Sequence, residues 1–231
     1  MFAQVADTTA TAKADAEAVK SKVAYVGETG GNWFVSLSGG VQAYHGDHNK
    51  MAKFAQRATP YGEIAVGKWV KPWIGVRVAC DGFNAKGATA GVHTDGTSLN
   101  GKPEAPHWLK NQEFPYVNGH VDLMIDILNL FAKYNPIRNF GLQGTAGPGY
   151  AYTWDDPSKG VLSVNSSISA RYSLTKALDV NLGVHGMIVD DSFEGETGGN
   201  NWIGRHYDGV GAVTVGVVWN FTKKGWKEVT K

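Results

Sequence analysis

From Ala212 to Phe221, near the end of the chain, the sequence alternates without a break. Val213, Val215, Val217, Trp219 and Phe221 fall on one side. Ala212, Thr214, Gly216, Val218 and Asn220 fall on the other, and all but Val218 are small or polar. A period of two is a strand with one apolar face and one face of small and polar groups. Two aromatic residues close the apolar face, and Lys223-Lys224 follow at once. A soluble strand can carry this pattern. A lipid-facing strand fits it better, because aromatic rings sit at headgroup level where such a strand leaves the membrane.

The same period recurs upstream. Trp33, Val35, Leu37, Gly39, Val41 and Ala43 oppose Phe34, Ser36, Ser38, Gly40, Gln42 and Tyr44. Ile64 and Val66 oppose Glu63, Ala65 and Gly67; after a turn near 69–72, Ile74, Val76 and Val78 oppose Gly75, Arg77 and Ala79. Further strands are expected around 117–125, 140–146, 162–171 and 178–185. With the closing segment this makes eight amphipathic strands, each near the roughly 9–11 residues that cross a bilayer at a tilt. The connections are expected to alternate long and short, with polar stretches at 45–60, 84–114, 150–160 and 190–206 as the long ones. Glycine makes up 30 of 231 residues, which suits crowded or bent strands. No apolar run reaches about 18 residues, so no membrane helix is expected, and a mean hydropathy of −0.25 is compatible with barrel strands. The net charge of +1 carries no nucleic-acid footprint, and the single Cys80 cannot form an intrachain disulfide.

Alternation alone leaves open which face is outside. A soluble ligand-binding barrel of the lipocalin type buries its apolar face. Three features favour the inverted arrangement. The polar face carries Ser, Asn, Gln and Gly with few Lys or Glu. Its charges, Glu63, Arg77, Asp122 and Arg171, come in both signs and can pair in a confined lumen. The apolar face is almost free of mid-strand charge, where Arg or Lys on lipid would cost about 2–4 kcal/mol. Closure also satisfies every backbone polar group, as hydrocarbon demands. The expected fold is all-β: an eight-stranded antiparallel up-and-down transmembrane β-barrel.

The phrases GNWFVSLSGG, PYGEIAVGKWVKPWIGVRV, ALDVNLGVHGMIVDDSFEG and YDGVGAVTVGVVWNF resemble the N-terminal barrel of OmpA-like outer-membrane proteins, in their Bacteroidetes variety. The resemblance covers roughly residues 31–226. The order Thr214, Gly216, Trp219, Phe221 is also similar to the assembly signal in the closing strand of such barrels. The resemblance implies a non-enzymatic, structural barrel with variable outer loops and both termini in the periplasm, embedded among outer-membrane lipid and lipopolysaccharide. It implies insertion by the barrel-assembly machinery and no cofactor. The family usually adds a C-terminal domain that grips peptidoglycan; the chain stops at Lys231, and none of its residues is expected to carry that binding. The expected division is a loose or partly helical periplasmic extension over 1–30, the barrel over 31–222, and the start of a linker over 223–231. The opening MFAQVADTT lacks the basic and apolar regions of an export signal, which is read as removal of one.

Several constellations invite chemistry. A three-residue turn after Lys68 would set Glu63 opposite Arg77 in the lumen, with Asp122 joining from a neighbouring strand. This is read as a structural charge network ahead of a charge gate. His120 and Asp122 share a face and could orient a base, but no serine in a nucleophile elbow accompanies them. The HGDH run at 45–48 and the pairs Asp155-Asp156 and Asp190-Asp191 could bind metal, yet none has a complete ligand set, so no metal site is assigned. Trp33, Phe140, Tyr172, Trp219 and Phe221 are expected to form an interfacial aromatic girdle. The leading expectation is a structural barrel with a largely closed lumen. The alternatives are a narrow porin for small solutes, a soluble ligand-binding barrel, or an enzyme acting on lipid.

Overall fold

The computed structural model describes residues 23–46, 48–89, 94–98, 109–154, 158–194 and 207–230. Strands β1 (Val23–Gly27), β2 (Trp33–His45), β3 (Ala58–Lys71), β4 (Ile74–Thr89), β5 (Thr94–Ser98), β6 (Lys110–Asp126), β7 (Phe140–Thr153), β8 (Lys159–Ser173), β9 (Leu178–Asp190), β10 (Tyr207–Trp219) and β11 (Trp226–Thr230) follow one another. The order β4-β3-β2-β10-β9-β8-β7-β6 runs antiparallel throughout, and β4 pairs with β6 to close it. β5 adds to the loop-side end of β6, beyond the reach of β7. The first and last barrel strands meet along their length, from Gly209 opposite His45 to Trp219 opposite Val35. The molecule is an eight-stranded closed antiparallel barrel.

The parity read from the sequence decides which side chains face out. Leu37, Val41, Ile64, Val78, Val121, Val164, Ile168, Leu182, Val184, Val213 and Val215 are exposed on the wall. Their lumenal counterparts Ser36, Ser38, Gln42, Glu63, Arg77, Asn118, His120, Asp122 and His185 are buried. An aliphatic belt around the whole barrel far exceeds the apolar patch of a soluble monomer. A soluble ligand-binding barrel would place these two sets the other way round.

Several expectations change. Residues 23–27, expected in a loose or partly helical extension, form β1. It pairs antiparallel with β11, which lies where a linker was expected. β4 and β6 run on as a paired ribbon, Gly82 to Thr89 against Val117 to Lys110, through part of the stretch read as a long polar loop. β7 and β8 likewise continue to Thr153 and from Lys159, so the connection expected at 150–160 is short. On the terminus side, the β6–β7 connection is long and carries a helical turn, Ile127–Phe131, capped by Asp126 accepting from the Asn129 N–H at 2.8 Å. Side-chain periodicity stops being informative where strands leave the membrane, because both faces of such a ribbon meet water or loops.

The β3–β4 turn is also corrected. Lys71 pairs with Ile74 around Pro72-Trp73, with an irregularity at Val70, so Gly67 faces Arg77 and Glu63 faces Asp81. Glu63 and Arg77 are therefore not directly opposed.

Candidate functional site in the lumen

β6 supplies the axis of the interior. Its inward column, from the terminus side, is Met124, Asp122, His120, Asn118, Tyr116 and Phe114, all buried. The order is apolar, charged, polar, then aromatic, and the neighbouring strands match it layer by layer. Met124 packs with Phe34, Trp69 and Val218 to seal the terminus side. Phe114 and Tyr116 join Tyr44, Met187, Phe193 and Val210 to seal the loop side. Tyr44 there donates to Asp208 and, at 3.1 Å, to Glu194.

Between the seals lies a charged layer. Arg77 sits opposite Asp122 in register, and its Nε donates to Asp122 Oδ2 at 2.7 Å. Its side chain then reaches along the barrel, where Nη1 donates to Glu63 Oε1 at 3.0 Å. The sequence-expected trio thus meets, but through a long diagonal arginine and not a face-to-face pair on β3 and β4. Asp122 also receives His120 Nδ1 at 2.8 Å, and His120 Nε2 lies 3.0 Å from Asp81 Oδ2. Asn118 Nδ2 donates to Asp81 at 3.1 Å and to Asn165 at 2.9 Å. Both nitrogens of His120 therefore face carboxylates, which leaves no position beside the ring for a nucleophilic serine. A cavity of about 30 Å³ remains below this layer, beside Ser36, Arg77, Ser167 and Ser169. It is room for about one water, not a continuous passage.

Asp81 and His185 were missed as members of this layer. Continuing the alternation two residues past Ala79 would have found Asp81. His185 was placed on the polar face of its strand, but nothing local tied it to Glu63 or Asp81. A second charged cluster guards the terminus-side mouth. Arg171 Nη2 donates to Asp126 at 3.3 Å, and its guanidinium lies 5.8 Å from the Trp69 ring centroid. Lys224 Nζ donates to Asp179 at 2.7 Å. Burial and the nearby Arg171 push the Lys224 ammonium below its ordinary pKa, while Asp179 opposes the shift.

Thr214 and Gly216 of the expected assembly signal face the lumen, and Trp219 and Phe221 face out with ring centroids 5.9 Å apart. A Cβ on Gly216 would run into Ser38 Oγ and lie 2.8 Å from the Leu37 carbonyl oxygen, so only glycine fits there. Trp33, Phe140, Tyr172, Trp219 and Phe221 are all exposed at the terminus-side strand ends, and Phe140 pairs with Tyr172. A second exposed set, Tyr150, Tyr152, Trp154 and Tyr207, lies at the opposite ends. In the HGDH run, Asp47 lies outside the described residues, and His45 Nδ1 is 3.1 Å from the Ala43 carbonyl. Asp155 and Asp156 also lie outside them. Asp190 caps the short helical turn that follows it, accepting from the Ser192 N–H at 3.0 Å.

No protein-family model matches the chain. It is 25% identical over 207 residues to outer membrane protein 40 of Porphyromonas gingivalis, covering 86% of this chain and 49% of that protein. It is 30% identical over 157 residues to outer membrane protein 41 of the same organism, covering 66% of this chain and 36% of that protein. The chain thus spans half or less of the length of these curated relatives. Among solved structures, Neisserial surface protein A aligns with 82% of this chain and 97% of its own, at 11% identity and a TM-score of 0.49.

Proposed function

We propose that this chain is an OmpA-like outer-membrane barrel with a structural and non-conducting role, a reading supported by its outer-membrane relatives and its closed eight-stranded fold. The barrel stabilises the envelope and carries loops on the outer surface. The observation that supports this most directly is the interior. Two apolar seals enclose a bonded charge layer, and side chains fill most of the space that eight strands can enclose. Both termini are periplasmic in this reading, which an even strand number favours. The strand ends at His45, Thr89, Thr153 and Asp190 then face outward. The two aromatic sets serve as interfacial belts in contact with lipid and lipopolysaccharide. Insertion by the barrel-assembly machinery uses the β10 signal. Contact with peptidoglycan belongs to a C-terminal domain of the family, and no barrel residue is assigned to it. The reading is non-enzymatic, and the His120–Asp122 pair fits it, because carboxylates face both ring nitrogens of His120.

Planar-bilayer recording of the refolded protein tests the closed lumen. No stable conductance steps are expected at modest salt, and large regular steps would favour the porin reading. Cysteine labelling of intact cells tests the topology. Ser192→Cys should react from outside, and Thr175→Cys should not.

A further inference from the structure

The charged layer holds buried ligand atoms, on His185 and Asp81, that its hydrogen bonds do not explain. A ring nitrogen of His185, an oxygen of Glu63 and an oxygen of Asp81 all lie within 4.8 Å of one another. His185 is 4% exposed, yet neither of its ring nitrogens has a hydrogen-bond partner. Nδ1 stands 3.9 Å from Glu63 Oε2, and Nε2 stands 3.7 Å from Asp81 Oδ2. Both are too long for hydrogen bonds. Asp81 Oδ1, also buried, is unpartnered. Orphaned buried polar atoms are costly, and the His185 ring stands between the two carboxylates.

We propose that Glu63, Asp81 and His185 bind a first-row divalent cation of the zinc type inside the barrel. An imidazole with two carboxylates is a suitable donor set for such an ion. Bonds of about 2.0–2.2 Å in a tetrahedral site put two donor atoms about 3.4 Å apart. An ion takes one nitrogen of His185; one donor atom from each of the three residues already lies within 4.8 Å of the others, and side-chain shifts can close them to that spacing. The surroundings hold the donors in place. Arg77 donates to both Glu63 oxygens, at 3.0 and 3.4 Å, Asn118 Nδ2 donates to Asp81 Oδ2 at 3.1 Å with His120 Nε2 3.0 Å from the same oxygen, and the Tyr61 ring lies 5.5 Å from that of His185. Such supporting contacts orient metal ligands. The seals at both ends mean that the ion enters as the barrel forms.

The test refolds the protein into detergent with excess Zn²⁺, desalts it and measures bound metal. Stoichiometric zinc is expected in the wild type, with loss in His185→Gln and Asp81→Asn. Co²⁺ in place of Zn²⁺ should give visible absorption bands of low coordination symmetry in the wild type and none in the variants. Heat-modifiable gel migration reports whether each variant has folded. Where a variant fails to fold, the wild type alone decides: its urea midpoint should be higher after refolding with Zn²⁺ than with EDTA. Wild-type protein that retains no more zinc than His185→Gln overturns the proposal. So does a urea midpoint that responds to pH but not to zinc, which would assign the layer to protonated imidazoles.

Discussion

Arg77 is the residue whose removal the lumen should tolerate least. Its side chain is 8% exposed, and it holds Asp122 through Nε at 2.7 Å and Glu63 through Nη1 at 3.0 Å. Arg77→Ala leaves two buried carboxylates without their cation. Breaking a buried pair from one side costs about 3–5 kcal/mol, and here two pairs break at once. Glu63→Ala is milder, because Arg77 keeps Asp122. The loss of the Arg77–Glu63 contact, hydrogen bonds of 3.0 and 3.4 Å, should cost about 1.5–3 kcal/mol. The double variant no longer strands the Glu63 carboxylate, so it should lose less than the sum, with a coupling of about 0.5–3 kcal/mol. The assay is urea unfolding of refolded barrels in detergent, followed by tryptophan fluorescence and by the heat-modifiable band. EDTA throughout removes any contribution from a lumen cation. Additive losses, or a Glu63→Ala cost equal to that of Arg77→Ala, would show that the guanidinium does not bridge the two carboxylates.

Val215 is 63% exposed in the middle of the β10 wall, so Val215→Arg should destabilise the barrel in lipid by about 2–4 kcal/mol. Thr214→Arg points into the lumen and should fail by overpacking, with a different dependence on lipid thickness; equal small effects at both sites would contradict the alternation. Gly147 faces the backbone of β6 so closely that a Cβ would meet the Val121 carbonyl oxygen, whereas one on Gly211 meets nothing within 4 Å. Gly147→Ala should therefore lose the heat-modifiable band and Gly211→Ala should keep it, and equal yields would place the β6–β7 contact wrongly. Lys223 donates to Glu28 at 2.8 Å, and this bond holds the Glu28 carboxyl below its ordinary pKa. The resulting stability is complete above the carboxyl's unfolded pKa and is lost as pH falls through the lower folded value. Hydrogen exchange of the β1–β11 ladder should accelerate across that acid window in the wild type and show no such step in Glu28→Gln.

The parity of each strand could be read from the chain because it is local. Consecutive side chains of an extended backbone point to opposite sides, so Val213, Val215 and Val217 share a face whatever the strand pairs with. The inversion was also legible, from polar residues that lack the lysines of a wetted wall and an apolar side that lacks charge. Strand limits were not legible where β4 and β6 leave the bilayer, since lipid no longer separates their faces there. Register was not legible either. It depends on the turn at Pro72-Trp73 and on the irregularity at Val70, which together move Arg77 opposite Gly67 and bring Asp81 opposite Glu63. The meeting of Glu63, Asp81 and His185 lies further from the sequence still. They stand on β3, β4 and β9, and β9 adjoins neither of the other two. Only the closed curve of the wall brings His185 across the lumen to the two carboxylates, because a cylinder puts residues distant around its circumference within reach across its diameter.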